Sequence, residues 1–241
     1  GGGIAGTTAA IAAARLGAKT LLIEAQGNLG GMGTLALVNA FDGMADGEKM
    51  LVGGIMREIV EEMYERKFMP EWQTPDSWRT KLLCPTRINP EGLKRLLDEK
   101  VVESGVELRY FTKVVDVDIE KGKKRINGII INNIEGLQYI PAKAFIDATG
   151  DAVLSILAGA DYVQAGRDTE KIMPPTMCGI YSNFSGLEDP RKFMKQAVED
   201  GFFGEENDNV KYGQLIASNF SEGIFGLNAG HVFGTDATNI A

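Results

Sequence analysis

Three glycines open the chain at the spacing G-x-G-x-x-G, namely Gly1, Gly3 and Gly6. In a strand–turn–helix unit the first glycine permits a tight turn, and the second lets the backbone approach a pyrophosphate. The third lets the helix pack closely on the sheet, and the helix N-terminus offers free N–H groups to the anion. Alone the pattern is weak, because the chain holds 30 glycines in 241 residues and an ordinary turn would explain it about equally well.

The residues after the third glycine strengthen the dinucleotide interpretation. Ala10 and Ala14 follow Gly6 at four-residue steps, so small side chains share the helix face that would pack on a sheet. Gly17 is a typical helix C-cap, and the next predicted strand ends in Glu24, 18 residues after Gly6. A carboxylate about 20 residues after the motif can accept hydrogen bonds from ribose hydroxyls. The alternative is a surface glutamate that merely follows a strand.

A second glycine pair, Gly30-Gly31, follows Glu24 by six and seven residues. The whole pattern resembles that of the two-dinucleotide-binding flavoproteins, whereas plain NAD-binding Rossmann domains lack the trailing pair. Three segments resemble the FAD-dependent oxidoreductase family, of the glutathione-reductase-like type: 29–34 (Leu-Gly-Gly-Met-Gly-Thr), 145–151 (Phe-Ile-Asp-Ala-Thr-Gly-Asp) and 165–167 (Ala-Gly-Arg). The resemblance covers most of residues 1–167, and 228–238 is similar to a later segment of the same family.

This resemblance implies non-covalently bound FAD on a Rossmann-like domain with a parallel sheet, helices and a β-meander crossover, beside a separate substrate domain. The implied cofactor-binding residues are Gly1, Gly3, Gly6, Glu24, Gly30, Gly31, Met32, Gly33, Thr34, Val115, Gly150 and Asp151. Of these, Met32, Gly33 and Thr34 would lie nearest the flavin ring, and the backbone around Val115 nearest the adenine. A core position is the alternative for Val115, and a helix N-cap is the alternative or additional role for Asp151.

Periodicity and turn residues divide the chain into predicted elements. Predicted helices cover 7–16, 54–67, 89–104, a segment ending near 159, and 190–200; predicted strands cover 19–24, 106–111, 114–120, 126–132, 137–140 and 144–148. We therefore predict an α/β FAD-binding domain over 1–165 and part of an α+β substrate domain over 166–241. Because residue 1 already lies inside the glycine motif, we expect the first strand to be missing, and likewise the family's further Gly-Asp motif near the C-terminus.

Charge and composition narrow the classes of partner. The net charge of −8 disfavours a protein that follows a nucleic-acid backbone. The family resemblance implies a small-molecule substrate. The sequence contains no run of about 18 apolar residues, so it predicts no membrane-spanning helix, and we expect a cytoplasmic protein. With one histidine and two distant cysteines, Cys84 and Cys178, the sequence predicts no disulfide framework, no Cys-x-x-Cys redox pair and no metal site.

Few side chains are candidates for catalysis. His231, the only histidine, could exchange a proton with a substrate at the flavin, although a structural or exposed histidine is commoner. Arg79, Arg87 and Arg167 could each bind a substrate carboxylate, with a structural role as the alternative. The sequence thus favours hydride transfer between a substrate and flavin N5. A nicotinamide-only dehydrogenase and a non-catalytic nucleotide- or partner-binding protein on the same scaffold are the alternatives.

Overall fold

A computed structural model describes residues 1–82, 84–120, 125–170, 172–183, 190–202, 216–221, 223–229 and 232. The helices are α1 (Ile4–Arg15), α2 (Gly54–Glu65), α3 (Pro75–Arg79), α4 (Pro90–Glu103), α5 (Val153–Leu157) and α6 (Pro190–Glu199). The strands are β1 (Leu21–Ile23), β2 (Ala40–Phe41), β3 (Thr86–Arg87), β4 (Glu107–Arg109), β5 (Lys113–Ile119), β6 (Ile126–Asn133), β7 (Gly136–Pro141), β8 (Met177–Ser182), β9 (Ile216–Ser221) and β10 (Ile224–Ala229). A short 3₁₀ helix covers Gly31–Gly33.

A parallel strand pair lies at the centre of the N-terminal part. β1 and β4 run in the same direction, with Leu22 opposite Leu108. A parallel pair needs a long crossover, and here the crossover includes α2 and α4, which pack on each other while α4 also contacts α1. This arrangement confirms the predicted α/β class with a parallel sheet.

One large apolar core joins these helices to the strands. Its fully buried members include Ile11 of α1, Ile59 of α2, Leu97 of α4 and the loop residue Leu29. Trp78 of α3 belongs to the same core, and its ring lies 5.3 Å from that of Tyr64. The segment that carries the glycine motifs is therefore fixed to the main core of the protein.

Local sequence features account for α4. The Asn89 side chain accepts hydrogen bonds from Glu91 N at 2.9 Å and from Gly92 N at 3.2 Å, which satisfies two N–H groups at the helix start. Pro90 occupies the first helical position, where its missing N–H costs nothing. Gly105, at φ +76°, ends the helix. The predicted helix over 89–104 is confirmed.

The predicted meander is also confirmed. β5, β6 and β7 form a three-stranded antiparallel sheet in chain order, and Gly136, at φ +90°, begins β7 directly after the turn at 134–135. Ile129 and Ile131 of β6 pack with Leu154 of α5 in a second, smaller core.

Two predictions about secondary structure were wrong. Residues 144–148 form no strand, since no backbone ladder joins this apolar segment to a neighbour among the described residues. Residues 68–88 contain α3 and β3, although the prolines at 70, 75 and 85 predict an irregular segment there. The start of α3 carries a recognisable pattern, because Thr74 takes the N-cap position and Pro75 the first helical turn.

The C-terminal part adds a separate antiparallel sheet. Its strand order is β8-β10-β9, with β10 in the centre, and α6 matches the helix predicted over 190–200. The division of the chain near residue 165 stays a prediction. Across the described segments, every helix is too short or too polar to cross a bilayer.

Candidate functional site

Hydrogen bonds from two directions fix the first glycines in a loop. The N–H of Gly30 donates to the Gly2 carbonyl oxygen at 2.8 Å, and the Thr7 hydroxyl donates to the same oxygen at 3.0 Å. Gly3 also forms an isolated parallel bridge with Gly30. The structure therefore brings together the two glycine motifs, which lie 27 residues apart in the chain.

The glycines of this loop have different surroundings. A Cβ on Gly1 would overlap the carbonyl oxygen of Ala148, and a Cβ on Gly6 would overlap the carbonyl oxygen of Gly1. A Cβ on Gly3 would meet no atom within 4 Å. Packing inside the protein thus requires glycine at positions 1 and 6, whereas Gly3 lies at an open surface that a ligand can approach closely.

Helix α1 begins at this open surface without a side-chain cap. Its N-cap residue is Gly3, and its first turn contains no acidic side chain. The first N–H groups of a helix have no acceptor within the helix itself. Together with the positive end of the helix dipole, they favour an anion such as a pyrophosphate at this position.

Glu24 lies directly after β1 and is 9% exposed. One carboxylate oxygen accepts a hydrogen bond from Gly2 N at 2.6 Å, and the other accepts one from Gln26 N at 2.8 Å. The sequence pointed to ribose hydroxyls as its partners, but the structure shows that the carboxylate also fixes the glycine loop. Each carboxylate oxygen accepts two bonds, so acceptor sites remain for a ribose, and that contact stays a prediction.

The segment after the glycine pair turns tightly beside the loop. Gly30 and Gly31 have φ values of +100° and +54°, a conformation that favours glycine. The buried Thr34 hydroxyl donates to Leu29 O at 2.6 Å and its N–H donates to Gly31 O at 3.1 Å, so this residue stabilises the turn. Met32 is 67% exposed. Flavin contacts of this turn stay a prediction.

Asp147, next to the Ala148 carbonyl that packs against Gly1, has a structural role that sequence reasoning missed. Its carboxylate accepts hydrogen bonds from the N–H and hydroxyl of both Thr149 and Ser155, at 2.8–3.1 Å. Burial alone would raise the pKa of Asp147, but these bonds outweigh it and lower the pKa to about 2. The threonine two positions later, a spacing typical of Asx turns, could have revealed this role.

The predicted N-cap role of Asp151 is wrong. Ala152 is the N-cap residue of α5, and Asp151 is exposed. The N–H groups at the start of α5 bond instead to Thr149, whose hydroxyl accepts from Val153 N at 2.8 Å, and to Asp147. Gly150, at φ +83°, forms the turn that makes this possible. Cofactor contacts of Gly150 and Asp151 stay predictions.

Val115 lies at an irregularity of β5. The pairing passes from Val114 opposite Ile131 to Asp116 opposite Ile130, so Val115 has no partner in the ladder. Its side chain is 41% exposed, which does not fit the alternative of a core position. Contact between its backbone and adenine stays a prediction.

The other candidate side chains have varied surroundings. His231 lies outside the described residues. Arg79 pairs with Glu61 at 2.6 Å, and Arg167 pairs with Asp168 at 2.6 Å. The cysteines are free; burial raises the pKa of Cys178, whose thiol donates to Asn228 Oδ1 at 3.5 Å. In the described ranges no group of three or more His, Cys, Asp or Glu could hold a metal ion.

A family model described as FAD dependent oxidoreductase matches residues 1–227. The chain belongs to the FAD-dependent oxidoreductase family. The match extends over both glycine motifs, Glu24, the meander and the segment around Asp147. The predicted family and its cofactor, FAD, are thereby confirmed, while the glutathione-reductase-like subtype stays a prediction.

Solved structures share the fold of this FAD-dependent oxidoreductase at low identity. A geranylgeranyl bacteriochlorophyll reductase-like protein from Thermoplasma acidophilum matches 96% of the chain at 18% identity and a TM-score of 0.55. L-proline dehydrogenase from P. horikoshii matches 98% at 16% identity and a TM-score of 0.54. CabE, an aromatic hydroxylase from angucycline biosynthesis, matches 99% at 10% identity and a TM-score of 0.59. The chain spans 55%, 70% and 44% of these three proteins, respectively.

The geometry of the loop fits the cofactor of the family. FAD presents a pyrophosphate flanked by ribose, and the open surface at Gly3 faces the uncapped N-terminus of α1 with the Glu24 carboxylate beside it. These residues would hold the pyrophosphate and the adenosine ribose. A side chain at position 3 would fill the space that the phosphate needs.

Proposed function

We propose that the whole protein is an oxidoreductase that transfers a hydride between a small-molecule substrate and flavin N5. Bound FAD supplies the two-electron carrier for this chemistry. The observation that carries the proposal is the open surface at Gly3, at the start of a helix with no side-chain cap, in a chain of this family.

The chain's own residues would bind and orient the reactants. In the direction of substrate oxidation, a C–H bond breaks and its hydrogen leaves with both electrons, while a proton leaves the adjoining O–H or N–H group. A base must take that proton, and His231 is our candidate. Met32 and Gly33 would lie along the flavin side of the site. We further propose that residues 1–165 hold the cofactor, that 166–241 begin the substrate domain, and that the protein works in the cytoplasm.

A flavin spectrum tests the proposal. The full-length protein should carry the two visible absorbance bands of oxidised FAD, and anaerobic addition of the correct substrate should bleach the longer-wavelength band. Protein without flavin absorbance that instead binds a nicotinamide would support the dehydrogenase alternative. Flavin that no compound in a broad screen of alcohols, amines and hydroxy acids bleaches, and that dithionite alone reduces, would support a non-catalytic role.

A further inference from the structure

Arg87 differs from the other described arginines in its surroundings. Seven arginines pair with carboxylates, and they are Arg15, Arg57, Arg66, Arg79, Arg95, Arg109 and Arg167. The Arg87 guanidinium makes no ion pair and no side-chain hydrogen bond with any described residue, although it is half-buried. Arg125, by contrast, is exposed to solvent.

The position of Arg87 is well defined by its backbone. Its N–H donates to Oε1 of Gln73 at 2.8 Å, and Gln73 is 1% exposed. Along β3 and just beyond it, Thr86 and Ile88 are fully buried, so the alternation of a strand places Arg87 on the opposite face. Its partner across the pair is Ala40, which has a small side chain.

Such a position is costly for a cation. Burial lowers the pKa of Arg87, and the charges of Asp42 and Cys84 offset that effect only in part. Buried charges in proteins are normally paired, because removing an ion from water without a partner costs free energy. A half-buried guanidinium that makes no ion pair within the described part of the chain therefore points to a ligand as its partner.

The strand that holds Arg87 lies against the turn after the glycine pair. A Cβ on Gly33 would lie 3.7 Å from Cδ1 of Ile88 and 3.9 Å from Cε1 of Phe41, which belong to or adjoin the two paired strands β3 and β2. Ile88 and Phe41 meet this turn, so the side chain of Arg87 lies on the opposite face of β3, and only its backbone is one residue away from the contact.

We propose that Arg87 binds an oxyanion on the face of β3 that it shares with Ala40, either the carboxylate of a substrate or a phosphate of the cofactor. The planar guanidinium offers two parallel N–H donors that match both groups. The choice between substrate and cofactor as the source rests on the proposed function, whereas the binding of an oxyanion rests on the surroundings of Arg87 alone.

The test compares Arg87→Gln with Arg125→Gln in the full-length protein. Arg125→Gln is the matched control, because it removes the same charge from an exposed position. Arg87→Lys is a second variant that keeps the charge but loses the two-donor geometry. Five ligands are tested on each protein: FAD and riboflavin by flavin fluorescence, and succinate, benzoate and inorganic phosphate by the rise in melting temperature.

The two sources of the oxyanion give different results. If a cofactor phosphate is the partner, Arg87→Gln weakens FAD binding at least tenfold and leaves riboflavin, which has no phosphate, unchanged. If a substrate carboxylate is the partner, FAD affinity is retained, while at least ten times more succinate or benzoate is needed for the same rise in melting temperature. Arg87→Lys should lie between the wild type and Arg87→Gln in either case.

The variants also separate binding from a structural role. Removal of an unpaired, half-buried charge should leave the melting temperature of the ligand-free protein unchanged or higher. If Arg87→Gln melts lower and has the same anion and FAD affinities as Arg125→Gln, Arg87 is structural and the inference is overturned. A last outcome separates the two proposals. If the wild type binds no flavin but is stabilised by anions, and Arg87→Gln loses that stabilisation, the proposed function is rejected and the oxyanion site is kept.

Discussion

At the scale of single residues, some glycines of the loop are required by packing and another leaves room for a ligand. Gly6 and Gly1 fill positions where a side chain would overlap backbone atoms, whereas Gly3 has open space before it. A side chain at position 1 or 6 should therefore impair folding, whereas a side chain at position 3 should impair FAD binding. The two effects can be measured independently.

Gly3→Ala should give a folded protein that binds FAD at least tenfold more weakly, and Gly3→Val should bind none. The φ value of Gly3 is −61°, which suits any residue, so the free energy of unfolding should change by less than about 1 kcal/mol. Flavin content per folded chain and urea unfolding are the measurements. Gly6→Ala is the matched control and should destabilise the protein. Normal flavin content in folded Gly3→Val would disprove the phosphate-loop assignment.

Glu24→Ala should lower both FAD affinity and stability. The loss of charge-assisted bonds to ribose, about 1.5–3 kcal/mol each, should weaken FAD at least tenfold. The N–H groups of Gly2 and Gln26 also lose their acceptor, which should cost about 1–3 kcal/mol of folding free energy. Titration calorimetry and urea unfolding measure the two effects. Glu24→Gln keeps an acceptor oxygen and should be less stable than wild type by a smaller amount; unchanged FAD affinity in Glu24→Ala would exclude the ribose contact.

The candidate site was predictable where short spacings determine it. The glycine positions and Glu24 follow from sequence spacing, because the turn and the strand end are local structures. The bond from Gly2 N to Glu24 was not predictable, since it depends on how two segments 22 residues apart meet in space. The unpaired state of Arg87 likewise depends on which carboxylates the fold brings near it.

At the scale of elements, Asp147 joins the segment after the meander to the start of α5. Its pKa of about 2 lies below its ordinary value of 3.8, so the folded state binds the proton more weakly than the unfolded state. The corresponding stability is fully present above about pH 4 and is lost as the pH falls toward 2. The shift corresponds to at most about 2 kcal/mol, at 1.36 kcal/mol per unit, before solvent screening.

Asp147→Asn should remove this part of the acid sensitivity. The difference in unfolding free energy between wild type and variant should shrink as the pH is lowered from 5 to 2.5, because only the wild-type carboxylate gains a proton. Urea unfolding at several pH values provides the measurement. Asp151→Asn is the matched control, since it makes the same substitution at an exposed position four residues later. A constant difference across this range would mean that Asp147 does not have a depressed pKa.

Elements with local sequence patterns were predicted well, and elements that need distant neighbours were not. Asn89-Pro90 marks the start of α4, and the alternation over 126–132 marks the central strand of the meander. The apolar segment 144–148 has strand composition, but a strand also requires a hydrogen-bonded neighbour, which composition does not reveal. β3 is only two residues long and exists because β2 lies beside it.

At the scale of the whole molecule, the main core reports on the glycine loop. Trp78 is 1% exposed and belongs to the same cluster as Ile11 and Leu29, which come from α1 and from the segment before the glycine pair. Trp72, the other tryptophan, is 60% exposed. The fluorescence of a Trp72→Phe variant therefore follows the unfolding of the core that holds the cofactor loop.

FAD at 100 times its dissociation constant should stabilise this core by about 2.7 kcal/mol, because it binds only the folded state. Urea unfolding of Trp72→Phe, followed by Trp78 fluorescence, should show this increase in the free energy of unfolding when FAD is added. Gly3→Val in the same background should abolish the increase. If Gly3→Val keeps the full increase, the cofactor binds away from the loop.

The hydrogen bonds that hold Gly2 have a consequence for how tightly a ligand can bind. Glycine loses more conformational entropy on folding than any other residue, so a loop of glycines is expensive to order. Here the hydrogen bonds that Gly2 makes with Gly30, Thr7 and Glu24 order the loop within the protein's own structure. An incoming dinucleotide therefore meets a preorganised surface, and its binding free energy is not reduced by the entropy of arranging that backbone.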